Sequence, residues 1–128
     1  MRLLLDTQAF IWWVLDDSRL SAAARAAISA PGNAVLVSVA TVWEMAIKAS
    51  LRKLELPSPV DEFFRSQLAL NWFTALPVMT SHALQVASLD HIHRDPFDRL
   101  LVATAMVERV PLLTSDDKIR QYPVQTIW

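Results

Sequence analysis

Apolar residues come along this chain in two alternating rhythms. Leu3-Leu4-Leu5 is a short unbroken run with no polar alternation, the pattern of a strand covered on both faces in a parallel sheet, and it stops at Asp6. Thr7 to Leu15 then follows helical spacing. Ser21 opens a second helix through SAAARAAISA that Pro31 and Gly32 close, and AVLVSV from Ala34 reads as the second strand. A third helix starts near Ser38 and its pattern runs through TVWEMAIKASLRK to the breakers Pro57 and Pro59, after which Val60 to Leu70 gives a fourth. WFTALPVM is a weaker strand and Thr80 to Ser88 a further helix. The helix after Asp95 leads to the apolar strand VPLLT, and QTIW adds a last strand. Strands alternating with helices predict βα units with right-handed crossovers, hence an α/β fold: a three-layer α/β/α sandwich on a twisted parallel sheet. No repeat, linker or low-complexity stretch interrupts the pattern, so residues 1–128 are expected to form a single domain.

The segment HIHRDPFDRLLVATAM, from His91 to Met106, supports two readings at once. Asp95 is a good N-cap, Pro96 suits the first helical position, and Asp98 falls at capping-box spacing. The same helix face carries Asp98, Leu101, Val102 and Ala105, so the Asp98 carboxylate is expected to lean toward the buried side, where it needs a partner.

Composition narrows the classes of function. With 53% hydrophobic residues and mean hydropathy of +0.28, the chain has ample material for a core. It contains no cysteine, which excludes disulfides, thiol nucleophiles and thiolate zinc sites and suits a reducing cytosol. Asp6 interrupts the apolar start before a signal-peptide core can form, and nowhere do about 18 apolar residues run together, so a cytoplasmic protein is expected. A net charge of -1 lacks the basic footprint of a protein that grips long nucleic acid through phosphates alone. One glycine argues against a Gly-rich phosphate loop.

The acidic residues are the candidate chemistry. Open α/β sheets bind ligands at the carboxyl ends of their strands, and Asp6 and Asp116 fall there. Each also has a plain structural reading, Asp6 as a helix N-cap and Asp116, with Asp117, as part of a solvated turn. Glu44 lies on an apolar helix whose narrow polar stripe is Thr41, Glu44 and Lys48; an i, i+4 ion pair with Lys48 is its plain reading. A fold that gathers Asp6, Glu44, Asp98 and Asp116 on one rim makes an oxygen-only site suited to Mg²⁺ or Mn²⁺. Such a cation polarises phosphoryl oxygens and acidifies water, so phosphodiester cleavage needs no side-chain nucleophile.

In order and spacing, LLLDT, SVATVWEMAIKASLRKLEL, HRDPFDRLLVATA, LLTSD and YPVQTIW resemble a PIN-domain ribonuclease, in particular the VapC-type toxins of bacterial toxin-antitoxin pairs. The resemblance covers nearly the whole chain. It implies a Mg²⁺-dependent endoribonuclease whose metal and catalytic residues are Asp6, Glu44, Asp98 and Asp116, with Thr7 and Thr114 in support. It further implies an RNA substrate, a cognate antitoxin as partner, and a homodimer. The family often has glycine where this chain has Arg52, which puts the turn there in question.

The remaining polar residues are read more plainly. His91 and His93 have an H-x-H spacing, but with only His82 as a further imidazole a zinc site is disfavoured and both are expected to be loop histidines. Arg99 is expected to pair with a carboxylate rather than hold substrate phosphate. Phe10, Trp12, Trp13, Phe63, Phe64 and Trp72 are expected in the core or an interface rather than as base-stacking platforms. Of two other functions, the interaction domain is the nearer alternative, because the sequence does not show that the four acids converge. A phosphoaspartyl phosphatase-type hydrolase needs a second acid two residues after Asp6, where Gln8 stands, and a non-catalytic α/β interaction domain would leave the acids unconverged.

Overall fold

The computed structural model describes residues 1–128. Five strands, β1 (Arg2–Leu5), β2 (Ala34–Ser38), β3 (Thr74–Leu76), β4 (Leu112–Leu113) and β5 (Thr126–Ile127), form one sheet in the order β3-β2-β1-β4-β5, with every neighbour parallel. Six α-helices link them: α1 (Thr7–Val14), α2 (Ala22–Ser29), α3 (Val39–Ser50), α4 (Val60–Asn71), α5 (Thr80–Gln85) and α6 (Pro96–Glu108).

Alternation along the central strands divides the interior into two cores. In β1, Leu3 and Leu5 point to one face with Val35 and Val37 of β2, and pack with Phe10 of α1, Ala24 and Ile28 of α2, and Phe63 and Phe64 of α4. Leu4 and Leu36 point the other way, onto Leu101, Val102 and Ala105 of α6 together with Leu112 and Ile119. The three leucines of β1 are fully buried, as a strand covered on both faces demands. Each such side chain stabilises the fold by about 1.5–3 kcal/mol, and Leu4→Ala would cost about 2–5 kcal/mol. The three-layer α/β/α sandwich expected from the sequence is the fold observed.

Some boundaries differ from the expected ones. α3 ends at Ser50, well before Pro57, because Arg52 turns into the left-handed region at φ 56°. The N–H of Lys53 reaches the carbonyl of Lys48 at 2.8 Å and that of Arg52 reaches Ala49 at 3.1 Å, a Schellman closure in which arginine takes the position usually given to glycine. WFTALPVM yields only the three-residue edge strand β3. Thr80 to Ser88 splits into α5 and a 3₁₀ turn, Val86–Ser88.

The winding reverses at the centre of the sheet. From β1 the chain moves outward through β2 to β3, then returns to place β4 on the other side of β1. This topological switch point opens a crevice at the carboxyl ends of β1 and β4, where α/β sheets bind ligands.

Candidate metal centre at the strand ends

Asp6 is the first residue beyond β1. Its own N–H donates to the carbonyl of Leu113 at 3.0 Å, and its Oδ1 accepts the N–H of Ala9 at 2.7 Å, so it caps α1 while its side chain is buried at the rim of the sheet. Asp116 follows β4 by a short loop in which Thr114 Oγ1 accepts the Asp116 N–H at 3.0 Å. Its Oδ1 then accepts the N–H groups of Lys118 at 2.8 Å and Ile119 at 3.0 Å. Both plain readings therefore hold, and neither takes the carboxylates away from the crevice.

Glu44 comes from α3, where the polar stripe faces inward: Thr41 Oγ1 lies 3.0 Å from Thr7 Oγ1, and Glu44 Oε2 lies 3.0 Å from Lys48 Nζ. Its other oxygen, Oε1, is buried with no hydrogen-bond partner. Asp98 stands in the first turn of α6 behind the cap, with Asp95 Oδ1 accepting the N–H groups of Phe97 and Asp98. Together Asp6, Thr7, Gln8, Glu44, Lys48, Asp95, Asp98, Ser115 and Asp116 line a cavity of about 240 Å³ without a single apolar wall residue. The four acids singled out from the sequence thus share one cavity.

Crowded, half-dry carboxylates resist ionisation. Burial pushes Asp6 up to about 6 against the hydrogen bonds from Thr114 and Ala9, and the charges of Asp116 and Glu44 push it the same way. Asp98 is raised to about 7, by burial first and then by the charge of Asp95, with His93 opposing. Burial also acts on Asp116, but the N–H of Ile119, His93 and the N–H of Lys118 together hold it below the ordinary carboxylate range.

Three sequence expectations need correction. The capping box does not form: the Asp95 N–H that Asp98 would accept goes instead to His93 Nδ1 at 3.1 Å, which leaves the Asp98 carboxylate free for the cavity. Arg99 pairs with no carboxylate. Consecutive helical residues diverge by about 100°, so Arg99 points away from Asp98 and donates to the carbonyl oxygens of Asp90, His93 and Val86 and to Tyr122 Oη. His93 is more than a loop histidine, because its Nε2 stands 3.1 Å from Oδ2 of both Asp98 and Asp116. Its signal in the sequence was the position two residues before an N-cap, from which an imidazole can take the cap's N–H. Among the aromatic residues, Phe10, Phe63 and Phe64 are core as expected, whereas Trp72 is 91% exposed in the left-handed region at φ 59°.

The donor set fits a hard divalent cation. It is four carboxylates, one with an orphaned buried oxygen and two whose ionisation is suppressed chiefly by burial.

Residues 3–125 match the model of the PIN domain family. A relative from Mycobacterium tuberculosis, Ribonuclease VapC22, is 33% identical over 98% of this chain and 97% of its own. Among solved structures, VapBC2 from Rickettsia felis bound to a DNA fragment from its promoter superposes with a TM-score of 0.76 at 13% identity, over 98% of this chain and 97% of that one. A toxin-antitoxin complex from Klebsiella pneumoniae gives a TM-score of 0.61 at 24% identity, over 93% and 90%. The strand order, the acid-lined crevice and the full-length matches converge, and the chain belongs to the PIN-domain family, as a VapC-type member.

Proposed function

We propose that this protein is a Mg²⁺-dependent endoribonuclease, the toxin of a toxin-antitoxin pair, with Asp6, Glu44, Asp98 and Asp116 holding the cation and Mn²⁺ as its natural substitute. The observation that carries this reading is the unpartnered, buried Oε1 of Glu44 in a cavity walled only by polar side chains. When bound, the cation would polarise a phosphoryl oxygen and lower the pKa of a water. The chain's own residues fix the carboxylates: the α1 cap holds Asp6, the turn at Lys118 and Ile119 holds Asp116, and the start of α6 presents Asp98. Lys48 is the one cation among the lining side chains and lessens the repulsion that an incoming phosphodiester meets.

Support for RNA as substrate comes from the name of the M. tuberculosis relative, and support for an antitoxin partner from the complexes in which the structural neighbours were solved. A homodimer fits the exposed apolar side chains Val39, Trp43, Leu51, Leu70 and Trp72. No helix is long and apolar enough to cross a membrane, consistent with the cytoplasmic location such a toxin needs. Incubating the purified protein with candidate RNAs in Mg²⁺ and then in EDTA tests the activity: cleavage should appear with the metal and vanish with the chelator. Cleavage that survives EDTA would overturn the metal reading, and an inert protein would favour a non-catalytic interaction domain. Light scattering at micromolar concentration should give twice the mass of the chain. Co-expression with a small open reading frame found adjacent to its gene, the expected place of an antitoxin, should yield a complex and relieve toxicity.

A further inference from the structure

The geometry points to His93 as the residue that positions Asp98 and Asp116 for the cation without itself being a metal ligand. This inference rests on the metal reading of the acidic cavity and adds to it a component outside the four acids.

Every polar atom of His93 is engaged. Its N–H donates to Tyr122 Oη at 2.9 Å, and its carbonyl accepts from Arg99 at 3.4 Å. Tyr122 Oη in turn donates to the carbonyl of Asp90 at 2.8 Å, and Arg99 donates to that same carbonyl at 2.9 Å. One tyrosine and one arginine therefore clamp the loop from Asp90 to His93 onto α6, and the ring is nearly buried, with 12% of its side chain exposed. Nδ1 accepts the Asp95 N–H at 3.1 Å, which requires its lone pair. A neutral imidazole with Nδ1 accepting carries its proton on Nε2, so the start of α6 selects the tautomer.

The Nε2–H then meets two carboxylates from different elements. It donates to Asp116 Oδ2, and Asp98 Oδ2 lies at the same 3.1 Å. Left alone, Asp98 on α6 and Asp116 on the loop after β4 would repel each other. The shared N–H holds them together, and the ligand atoms of His93, Asp98 and Asp116 all fall within 4.8 Å of one another. A histidine that ligates a metal must offer a nitrogen lone pair, and here one nitrogen bears the proton while the other is occupied by backbone. His93 thus serves the carboxylates as their hydrogen-bond donor, with the role that partners behind a metal's direct ligands usually play.

The test compares wild type, His93→Ala, His93→Gln and Asp98→Asn, each checked by thermal melt, for Mn²⁺ binding and for RNA cleavage across a Mg²⁺ titration. His93→Ala should raise the Mg²⁺ needed for half-maximal cleavage by about 10- to 100-fold, with a much smaller loss at saturating Mg²⁺. His93→Gln, whose amide N–H reaches the place of Nε2–H, should recover most of the difference. In metal-free protein, ¹⁵N spectra of labelled histidine should show His93 protonated on Nε2. The inference is overturned by an unchanged Mg²⁺ requirement in His93→Ala, by a failure of glutamine to rescue, by a proton on Nδ1, or by spin-echo modulation showing the His93 nitrogen bonded to Mn²⁺. If Asp98→Asn loses Mn²⁺ while His93→Ala matches wild type, only this inference falls. If wild type binds no Mn²⁺, the metal reading falls and takes it along.

Discussion

Oδ1 of Asp95 accepts the backbone N–H of Asp98 at 3.1 Å, so one acid of the DPFD segment anchors the helix that presents the other. The two are therefore separable by substitution. Asn caps a helix about as well as Asp, so Asp95→Asn should cost less than about 1 kcal/mol and keep most activity. Asp98→Asn should suppress cleavage by orders of magnitude, while metal-free stability holds or rises as repulsion within the cavity falls. Paired melts and Mg²⁺ titrations decide between them. A dead but folded Asp95→Asn beside an active Asp98→Asn would move the ligand by one helical turn.

Stability without metal should fall as pH rises. Asp6 at about 6 and Asp98 at about 7 both lie above their ordinary value of 3.8, so between that value and 7 the folded chain binds more protons than the unfolded one. The slope of unfolding free energy with pH is then negative. Melting temperature in EDTA should decline from about pH 4 to about pH 7 and level off above. Mg²⁺ should reverse the trend near neutrality, because binding needs the ionised carboxylates. A metal-free melting temperature that climbs across this window would contradict the buried placement of both acids.

Tyr122→Phe removes the hydroxyl that holds both the Asp90 carbonyl and the His93 N–H. The Asp90 carbonyl keeps Arg99, but the His93 N–H is left without a partner, which should destabilise the protein by about 1–3 kcal/mol. Hydrogen exchange should quicken at His93, and cleavage should require more Mg²⁺. Unchanged exchange at that amide would show that the loop is held by Arg99 alone.

Arg52→Gly should stabilise the chain by about 1 kcal/mol, a rise of roughly 4 °C in Tm, because Arg52 bears the left-handed strain at φ 56° that glycine avoids. Cleavage should not change. A lower melting temperature would mean that glycine's freedom in the unfolded chain outweighs the relief of strain.

The parallel α/β layering and the placing of the four acids at one rim were legible in the sequence because each rests on local grammar. Unbroken apolar runs marked β1 and β4, and carboxylates at their ends marked the rim. Helix ends without a proline or glycine were harder to read, as at Arg52, where tertiary packing of Leu54 and Leu56 onto the core outweighs an unfavourable backbone conformation. The roles of His93 and Arg99 were illegible for a different reason. Both depend on Tyr122, far along the chain, and on which way a side chain leaves its helix or loop.

The pairing of Leu4 with Leu112 has a consequence for synthesis. In translation Asp116 follows Asp6 only after most of this sequence has been made, so at about 5–20 residues per second β1 waits on the order of ten seconds for its second neighbour. Throughout that interval the nascent chain has an open sheet edge and a dispersed set of acids. The four acids therefore come together in one cavity only once β4 docks beside β1.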